Sequence, residues 1–321
     1  MTTVFITGGA GFIGSSLAES LLAQGHTVVS FDNFNDFYDP NIKRRNIDRL
    51  AGYGASFISI EGDIRDMSAL GQAWTDHSPD VMVHLAAMAG VRPSIDHPAL
   101  YYDVNIQGTL NVFQVCQDRP PNKVIMASSS SVYGNNPTVP FSETHAVDRP
   151  ISPYAATKKM NEIMAYNFYH LHGIPICCCR FFTVYGPYQR PEMAIHKFTA
   201  MIDQGRAIPM FNFGQCERDY TYIDDIVHGL EQIMGTDYGY DIVNLGESQT
   251  ITTRELVQLI ETALNKTAII TSLPAQTGDV ERTFANIDHA KKTYGYQPTT
   301  SIHEGIQRFV TWYQAQTAVT P

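Results

Sequence analysis

Val4-Phe5-Ile6-Thr7-Gly8-Gly9-Ala10-Gly11-Phe12-Ile13-Gly14 runs from an apolar segment through a glycine loop into a helical pattern. The glycines at 8, 11 and 14 keep the spacing G-x-x-G-x-x-G. They lie between a first predicted strand, Val4–Thr7, and a first predicted helix, Gly14–Gln24, with Leu17, Leu21 and Leu22 on one face. In that context Gly8 permits a tight turn, Gly11 lets the backbone approach a pyrophosphate, and Gly14 lets the helix pack close to the strand. The helix N-terminus then offers free N–H groups and the positive end of its dipole to the phosphates. A glycine-rich turn with no ligand has the same spacing, so the loop alone leaves both readings open. Asp32 tips the balance. It ends the second predicted strand, eighteen residues beyond Gly14, near the spacing of an acid that bonds a ribose 2′-hydroxyl. A carboxylate there repels a 2′-phosphate, which points to NAD as the cofactor and not NADP. Asp63, at the end of the next strand, can meet the adenine amino edge or serve as a plain strand-end cap.

Working outward, strands are predicted at Thr27–Phe31, Phe57–Glu61, Val81–Leu85, Lys123–Ala127 and Ile176–Phe182. Helices are predicted at Met67–Asp76, Leu100–Cys116 and Pro153–His172, with a C-terminal amphipathic helix at Ile302–Tyr313. Strands that are apolar throughout, alternating with helices, imply an α/β fold with a doubly wound parallel sheet of the Rossmann type. After Gly186 the elements shorten and prolines, glycines and aromatics thicken. Residues 1–185, with returning segments near 222–247 and 286–300, are expected to form the dinucleotide half. Residues 186–321 are expected to form mainly a smaller α/β substrate domain. The chain has 321 residues, 44% of them hydrophobic and 17% charged, which suits a folded core and not disorder. A net charge of −10 argues against a nucleic-acid partner. No leader pattern and no long apolar run is present, so the expectation is a cytoplasmic protein with no membrane segment. Five cysteines include the apolar run Cys177-Cys178-Cys179 and form no C-x-x-C. They read as reduced core residues, with no metal site.

Tyr154 and Lys158 stand four apart on the long predicted helix and so share a face. A phenol is a weak base at neutral pH, and a nearby ammonium together with a positive nicotinamide ring favours its phenolate. Ser128-Ser129-Ser130-Ser131 follows a strand whose C-terminal end opens into the ligand crevice, where four hydroxyls offer donors to a sugar oxygen. A Ser129, Tyr154 and Lys158 centre outweighs the alternatives of a solvated helix face and a polar loop.

With these residues in hand, the chain resembles the extended short-chain dehydrogenase/reductase family, which contains nucleotide-sugar epimerases and dehydratases. The resemblance covers nearly the whole chain. Its general marks are the glycine loop, His84-Leu85-Ala86-Ala87, Ser129, Tyr154 and Lys158. Narrower marks are Asp32 to Pro40 with Lys43-Arg44, Ser128 to Gly134, Arg180 to Pro187, Arg190 to Ala194, Arg218 to Ile226 and Gly278-Asp279-Val280. These look like the branch that interconverts UDP-glucuronate and UDP-galacturonate. The resemblance implies that Gly8, Gly11, Phe12, Ile13, Asp32, Asn33, Lys43, Asp63, Ile64, Leu85, Ala86, Ala87, Asn105, Tyr154 and Lys158 hold NAD. It implies Tyr154 as base with Ser129 as its hydrogen-bonding partner. It places Arg92, Thr183, Arg190, Arg218, Asp279 and the segment ending at Phe211 around the UDP-sugar. Ser130, Ser131 and Thr183 would hold the sugar carboxylate, with Arg190 as a nearby charge.

An absence narrows this further. Dehydratases of the family carry Asp-Glu just before Val-Tyr-Gly, and the decarboxylases that form UDP-xylose keep a Glu at the second place. Here both places are serine, Ser130 and Ser131. Three rivals stay open: a decarboxylating lyase, a 4-epimerase of neutral UDP-hexoses, and a non-catalytic NAD-binding module. The helices Leu100–Cys116 and Pro153–His172 match the pair that builds a four-helix homodimer interface in similar enzymes, and a homodimer is expected.

Overall fold

The fold comes from a computed structural model that describes residues 1–274 and 281–319. Its centre is a seven-stranded sheet: β1 (Thr3–Thr7), β2 (Thr27–Asp32), β3 (Phe57–Glu61), β4 (Val81–His84), β5 (Lys123–Ser129), β6 (Ile176–Phe181) and β7 (Tyr240–Leu245). All neighbours run parallel, in the order β7-β6-β5-β4-β1-β2-β3. The order reverses between β1 and β4, so a crevice opens at their C-terminal ends. The strands are apolar throughout because both faces are covered. Phe5, Val29, Met82, Val124 and Cys178 pack on Leu70, Trp74 and Phe113. Val4, Ile6, Val28, Val83, Ile125, Cys177 and Cys179 pack on Leu17, Leu21, Ile226 and Leu230. The cysteine run is core, as its sequence suggested, and all five thiols are unpaired. No helix among the described residues is long and apolar enough to cross a membrane.

Most predicted elements form within a residue or two of their expected bounds, and three differences matter. The segment expected as one helix over Leu100–Cys116 is α-helical at Pro98–Tyr102 and Thr109–Asp118, with a π-helical turn at Asp103–Gly108 between them. Helix Pro40–Asp48 has no apolar stripe to announce it; its buried residues are Lys43 and Asn46, because its inner face meets the polar end of the cleft. Asp39 caps it and Pro40 opens it, a start signal with no periodicity behind it. Short helix Val91–Asp96 is likewise too brief to show a period.

Beyond Gly186 the elements shorten as expected. Three small sheets pair Thr183–Tyr185 with Tyr220–Tyr222, Ile208–Phe211 with Ile270–Leu273, and Glu217–Arg218 with Ile251–Thr252. The architecture is therefore a doubly wound α/β sheet with a smaller C-terminal α/β part.

Under the C-terminal ends of β5 and β6 lies a fully buried ion pair. Arg180 donates Nε to Glu162 Oε1 at 2.8 Å and Nη2 to Oε2 at 2.9 Å. Ser128 Oγ donates to Glu162 Oε1 at 2.7 Å, and Arg180 Nη1 donates to the Tyr133 hydroxyl at 2.9 Å. Arg180→Met strands Glu162 in the core and is expected to cost about 3–5 kcal/mol. Adding Glu162→Leu is expected to recover much of that loss. Urea denaturation of the two variants checks this; a single variant no less stable than the double would contradict it.

Candidate active site

The crevice at the β1/β4 switch gathers most of the residues singled out from sequence. Gly8, Gly11, Phe12, Ile13, Asp32, Asn33, Lys43, Ile64, Leu85, Ala86 and Ala87 line one part of it. Ser129, Ser130, Ser131, Tyr154, Lys158, Thr183 and Arg190 line the other. At Gly8 φ is +72°, and a Cβ would stand 2.7 Å from the Ala86 nitrogen. A Cβ on Gly14 would stand 2.3 Å from the Gly8 carbonyl oxygen. Only glycine fits either place. Helix Phe12–Ala23 starts at Gly11 with no side-chain cap and no acid in its first turn. Its free N–H groups and positive dipole end are left for an anion in the crevice.

Asp32 is nearly buried at the end of β2. It accepts from the Ala10 N–H at 3.2 Å and the Phe34 N–H at 2.9 Å, and Lys43 Nζ lies 3.5 Å from it. Lys43 also donates to Asn35 Oδ1 at 3.2 Å. Asn35, Phe37 and Tyr38 of the same loop line the cleft, and the sequence reading gave them no role.

Tyr154 sits in the first turn of helix Pro153–His172, which Ser152 caps through the Ala155 N–H and Pro153 opens. Lys158, one turn on, is buried and donates to the Ala127 carbonyl at 2.8 Å. Its Nζ lies 5.9 Å from the centre of the Tyr154 ring. Tyr101 meets Tyr154 edge to face at 6.3 Å and donates its hydroxyl to the Ala89 carbonyl at 2.6 Å. Burial pushes the Tyr154 phenol up from its ordinary value; a hydrogen bond with Ser129 and the charge of Arg190 oppose it. Burial also pushes Lys158 down to about 8. The expected lowering of Tyr154 by Lys158 is thus not met by the protein alone, because desolvation outweighs the charges facing the phenol. His84 is a buried relay nearby, bonded to Thr7 Oγ1 at 2.7 Å and Thr109 Oγ1 at 2.9 Å. Burial, with the Lys158 charge added, pushes it down to about 3, so it is neutral.

Most of the other residues singled out from sequence make bonds within the protein. Ser128 borders the cleft but spends its hydroxyl proton on Glu162, so it donates nothing to a sugar. Asn105 is fully buried. Its amide brackets Met88, accepting from its N–H at 2.8 Å and donating to its carbonyl at 3.0 Å, and donates to Thr157 Oγ1 at 3.0 Å. It ties the 85–90 loop to the Tyr154 helix. Asp63 is held by Asn33 and Arg65 behind the lining residues Gly62 and Ile64. Arg92 stacks over the Phe211 ring at 5.3 Å. Arg218 donates to the Glu217 and Glu281 carbonyls at 2.8 and 3.3 Å. Asp279, with Gly278 and Val280, lies outside the described residues.

With this geometry the comparisons agree. The family model described as GDP-mannose 4,6 dehydratase matches residues 5–309. The chain belongs to that family, the NAD-dependent epimerases and dehydratases of the extended short-chain dehydrogenase/reductase type, and is a nucleotide-sugar 4-epimerase-type enzyme. An uncharacterized protein of Methanocaldococcus jannaschii is 43% identical, covering 97% of this chain and 95% of its own. UDP-glucuronate 4-epimerase 4 of Arabidopsis thaliana is 40% identical over 97% of this chain and 75% of its own. Among solved structures, the UDP-glucuronic acid 4-epimerase of Bacillus cereus, in complex with UDP-glucuronic acid and NAD, superposes with a TM-score of 0.92. It is 31% identical, covering 98% of this chain and 99% of its own.

Lys158 gives a stability signature. Its pKa in the fold, about 8, lies below the ordinary lysine value. Between those two values the unfolded chain binds more protons, so stability contributed by this site rises with pH across that window. Wild type is expected to gain stability relative to Lys158→Met from pH 7 to pH 10. Urea denaturation across that range checks it; a flat difference would show that Lys158 keeps an ordinary pKa.

Proposed function

We propose that the protein is a UDP-glucuronate 4-epimerase that interconverts UDP-glucuronate and UDP-galacturonate with bound NAD. The uncapped helix N-terminus at Gly11, the close-packed glycines and Asp32 fit that cofactor. The observation that carries the choice of substrate is the set of groups at the sugar end. Among the described lining residues the only carboxylate is Asp32, at the opposite, ribose end. Around Tyr154 stand Ser129, Ser130, Ser131 and Thr183; the charged lining residues there are Lys158 and Arg190, the latter paired with Glu192 at 3.2 Å. Ser129 faces Phe181 in the β5–β6 register, so the serine turn and Thr183 share one corner.

In this reading Tyr154 takes the proton of the sugar 4-hydroxyl and later returns one, oriented by Ser129. Bound NAD supplies the reversible oxidation at C4, with no net consumption. The phenol needs a positive charge beyond those of the protein to ionise readily, and Lys158 is placed to hold the nicotinamide ribose beside it. A 4-keto uronic acid is a β-keto acid and loses carbon dioxide once its carboxylate aligns with the carbonyl π system. Hydroxyls of Ser130, Ser131 and Thr183 hold the carboxylate out of that alignment. Among the described lining residues no acid stands there to take the C5 proton, which disfavours dehydration. Arg92, Phe211, Arg218 and Asp279 are assigned to the nucleotide and diphosphate. Residues 1–185, with β7 and its neighbours, form the NAD half, and 186–321 mainly the UDP-sugar half.

A homodimer belongs to the same reading. Met160, Ile163 and Tyr166 on helix Pro153–His172, and Leu100 and Tyr102 on Pro98–Tyr102, are exposed apolar residues on the two helices expected to pair.

Proton NMR of the anomeric signals tests the reaction. Wild type with UDP-glucuronate and NAD is expected to form UDP-galacturonate without net NADH. UDP-xylose as the main product, or turnover confined to neutral UDP-hexoses, would overturn the reading. Tyr154→Phe is expected to abolish turnover while keeping NAD bound, and residual turnover near wild type would remove Tyr154 as the base. Thr183→Ala is expected to raise the decarboxylated share of product; an unchanged share would take Thr183 out of carboxylate holding.

A further inference from the structure

We propose that Arg65 is a positioning residue for the adenine end of the cleft: it fixes the Asp63 carboxylate in the orientation that accepts the adenine 6-amino group. This rests on the NAD reading above. Arg65 grips both oxygens of Asp63, with Nε to Oδ1 at 3.0 Å and Nη2 to Oδ2 at 2.8 Å. Its own backbone N–H adds a bond to Oδ1 at 2.8 Å. The remaining terminal nitrogen, Nη1, turns away and donates to Asp103 Oδ2 at 2.8 Å. The planar fork is therefore anchored on both sides, and a planar fork fixes the plane of the carboxylate it holds. Asp103 opens the π-helical turn that carries Asn105, so the fork ties the adenine end to the segment that brackets Met88.

The fourth bond to Asp63 differs in kind. Asn33 Nδ2 donates to Oδ2 at 2.9 Å. Asn33 lines the cleft, as Arg65 does not. Asn33 is thus the cleft-side partner of Asp63 and donates a neutral amide N–H, the same kind of donor as an adenine amino group, so adenine can exchange with it while the three Arg65 bonds persist. Asn111 Nδ2 holds the Ile64 and Arg65 carbonyls at 2.9 and 3.1 Å, fixing the backbone of the same turn. Arg65 also holds Asp63 down at about 2, which keeps the acceptor ionised.

The test compares NAD with nicotinamide hypoxanthine dinucleotide, in which a carbonyl oxygen replaces the 6-amino group. The full chain, freed of nucleotide, is titrated with each by calorimetry. Wild type is expected to favour NAD. Arg65→Met keeps the stem and loses the fork; it is expected to lose about fivefold in NAD affinity, the upper range for an exposed ion pair. Its affinity for the hypoxanthine analogue is expected to stay level, so the preference collapses. Arg65→Lys is expected to restore only part of it, because an ammonium does not bridge both oxygens. Equal weakening of both nucleotides by Arg65→Met, or no weakening of either, would overturn the proposal, as would a wild type with no preference. A wild type that binds neither dinucleotide would overturn the NAD reading itself, and this proposal with it.

Discussion

Glu162 has no exposed surface, and a carboxylate in that position survives only because Arg180, Ser128 and Lys159 answer it. The pair sets more than local stability. Tyr154, Lys158 and Glu162 recur every four residues along one face of a single helix. Each is matched to a successive residue at the end of β5. Lys158 holds the Ala127 carbonyl, Glu162 holds the Ser128 hydroxyl, and Tyr154 faces Ser129. The ion pair therefore fixes the helix in register against the strand, and that register sets the Ser129–Tyr154 geometry. The same network reaches outward through Arg180 to Tyr133, then to Asn244 on β7, whose amide holds the Phe141 carbonyl. A buried pair of this kind contributes little to net stability against an apolar replacement, and its value here lies in registration.

The electrostatics of the site follow from the same burial. Desolvation raises the Tyr154 phenol and lowers the Lys158 ammonium, so each is pushed toward its neutral form. A lysine at about 8 still carries its charge at neutral pH, while the raised phenol stays protonated. His84, neutral beside Lys158, adds none. In the proposed function, the last electrostatic contribution to ionising that phenol comes from what occupies the cleft.

The sheet was legible because its physics is local. Strands buried on both faces must be apolar throughout, and the glycine loop must lack side chains where Cβ atoms would meet Ala86 and Gly8. The parts that were not legible are those where the burial pattern inverts. Helix Pro40–Asp48 buries Lys43 and Asn46 and leaves its apolar residues less covered, so no periodicity marks it. Asn105 is placed at NAD by the family resemblance and Ser128 among the sugar donors by its place at a strand end, yet the side chains of both bond within the protein. Nothing in sequence spacing tells a hydroxyl that faces a sugar from one that bonds a buried carboxylate on the helix packed against its strand. Arg180 and Glu162, eighteen residues apart, carried no motif of their own pairing.

The serine turn shows how one pair of positions can select a reaction. Ser130 and Ser131 border the corner shared with Thr183 and Arg190. A carboxylate in that corner would stand close to a uronic acid. Two like charges about 4 Å apart repel by about 4 kcal/mol at the effective dielectric of a partly buried site, on the order of a thousandfold in binding. Hydroxyls carry no such penalty and donate to the same oxygens, while Arg190 favours the charge. They also offer no base for C5. In the proposed function, the same two side chains set no charge against an acidic sugar and withhold the base that would turn transient oxidation into elimination.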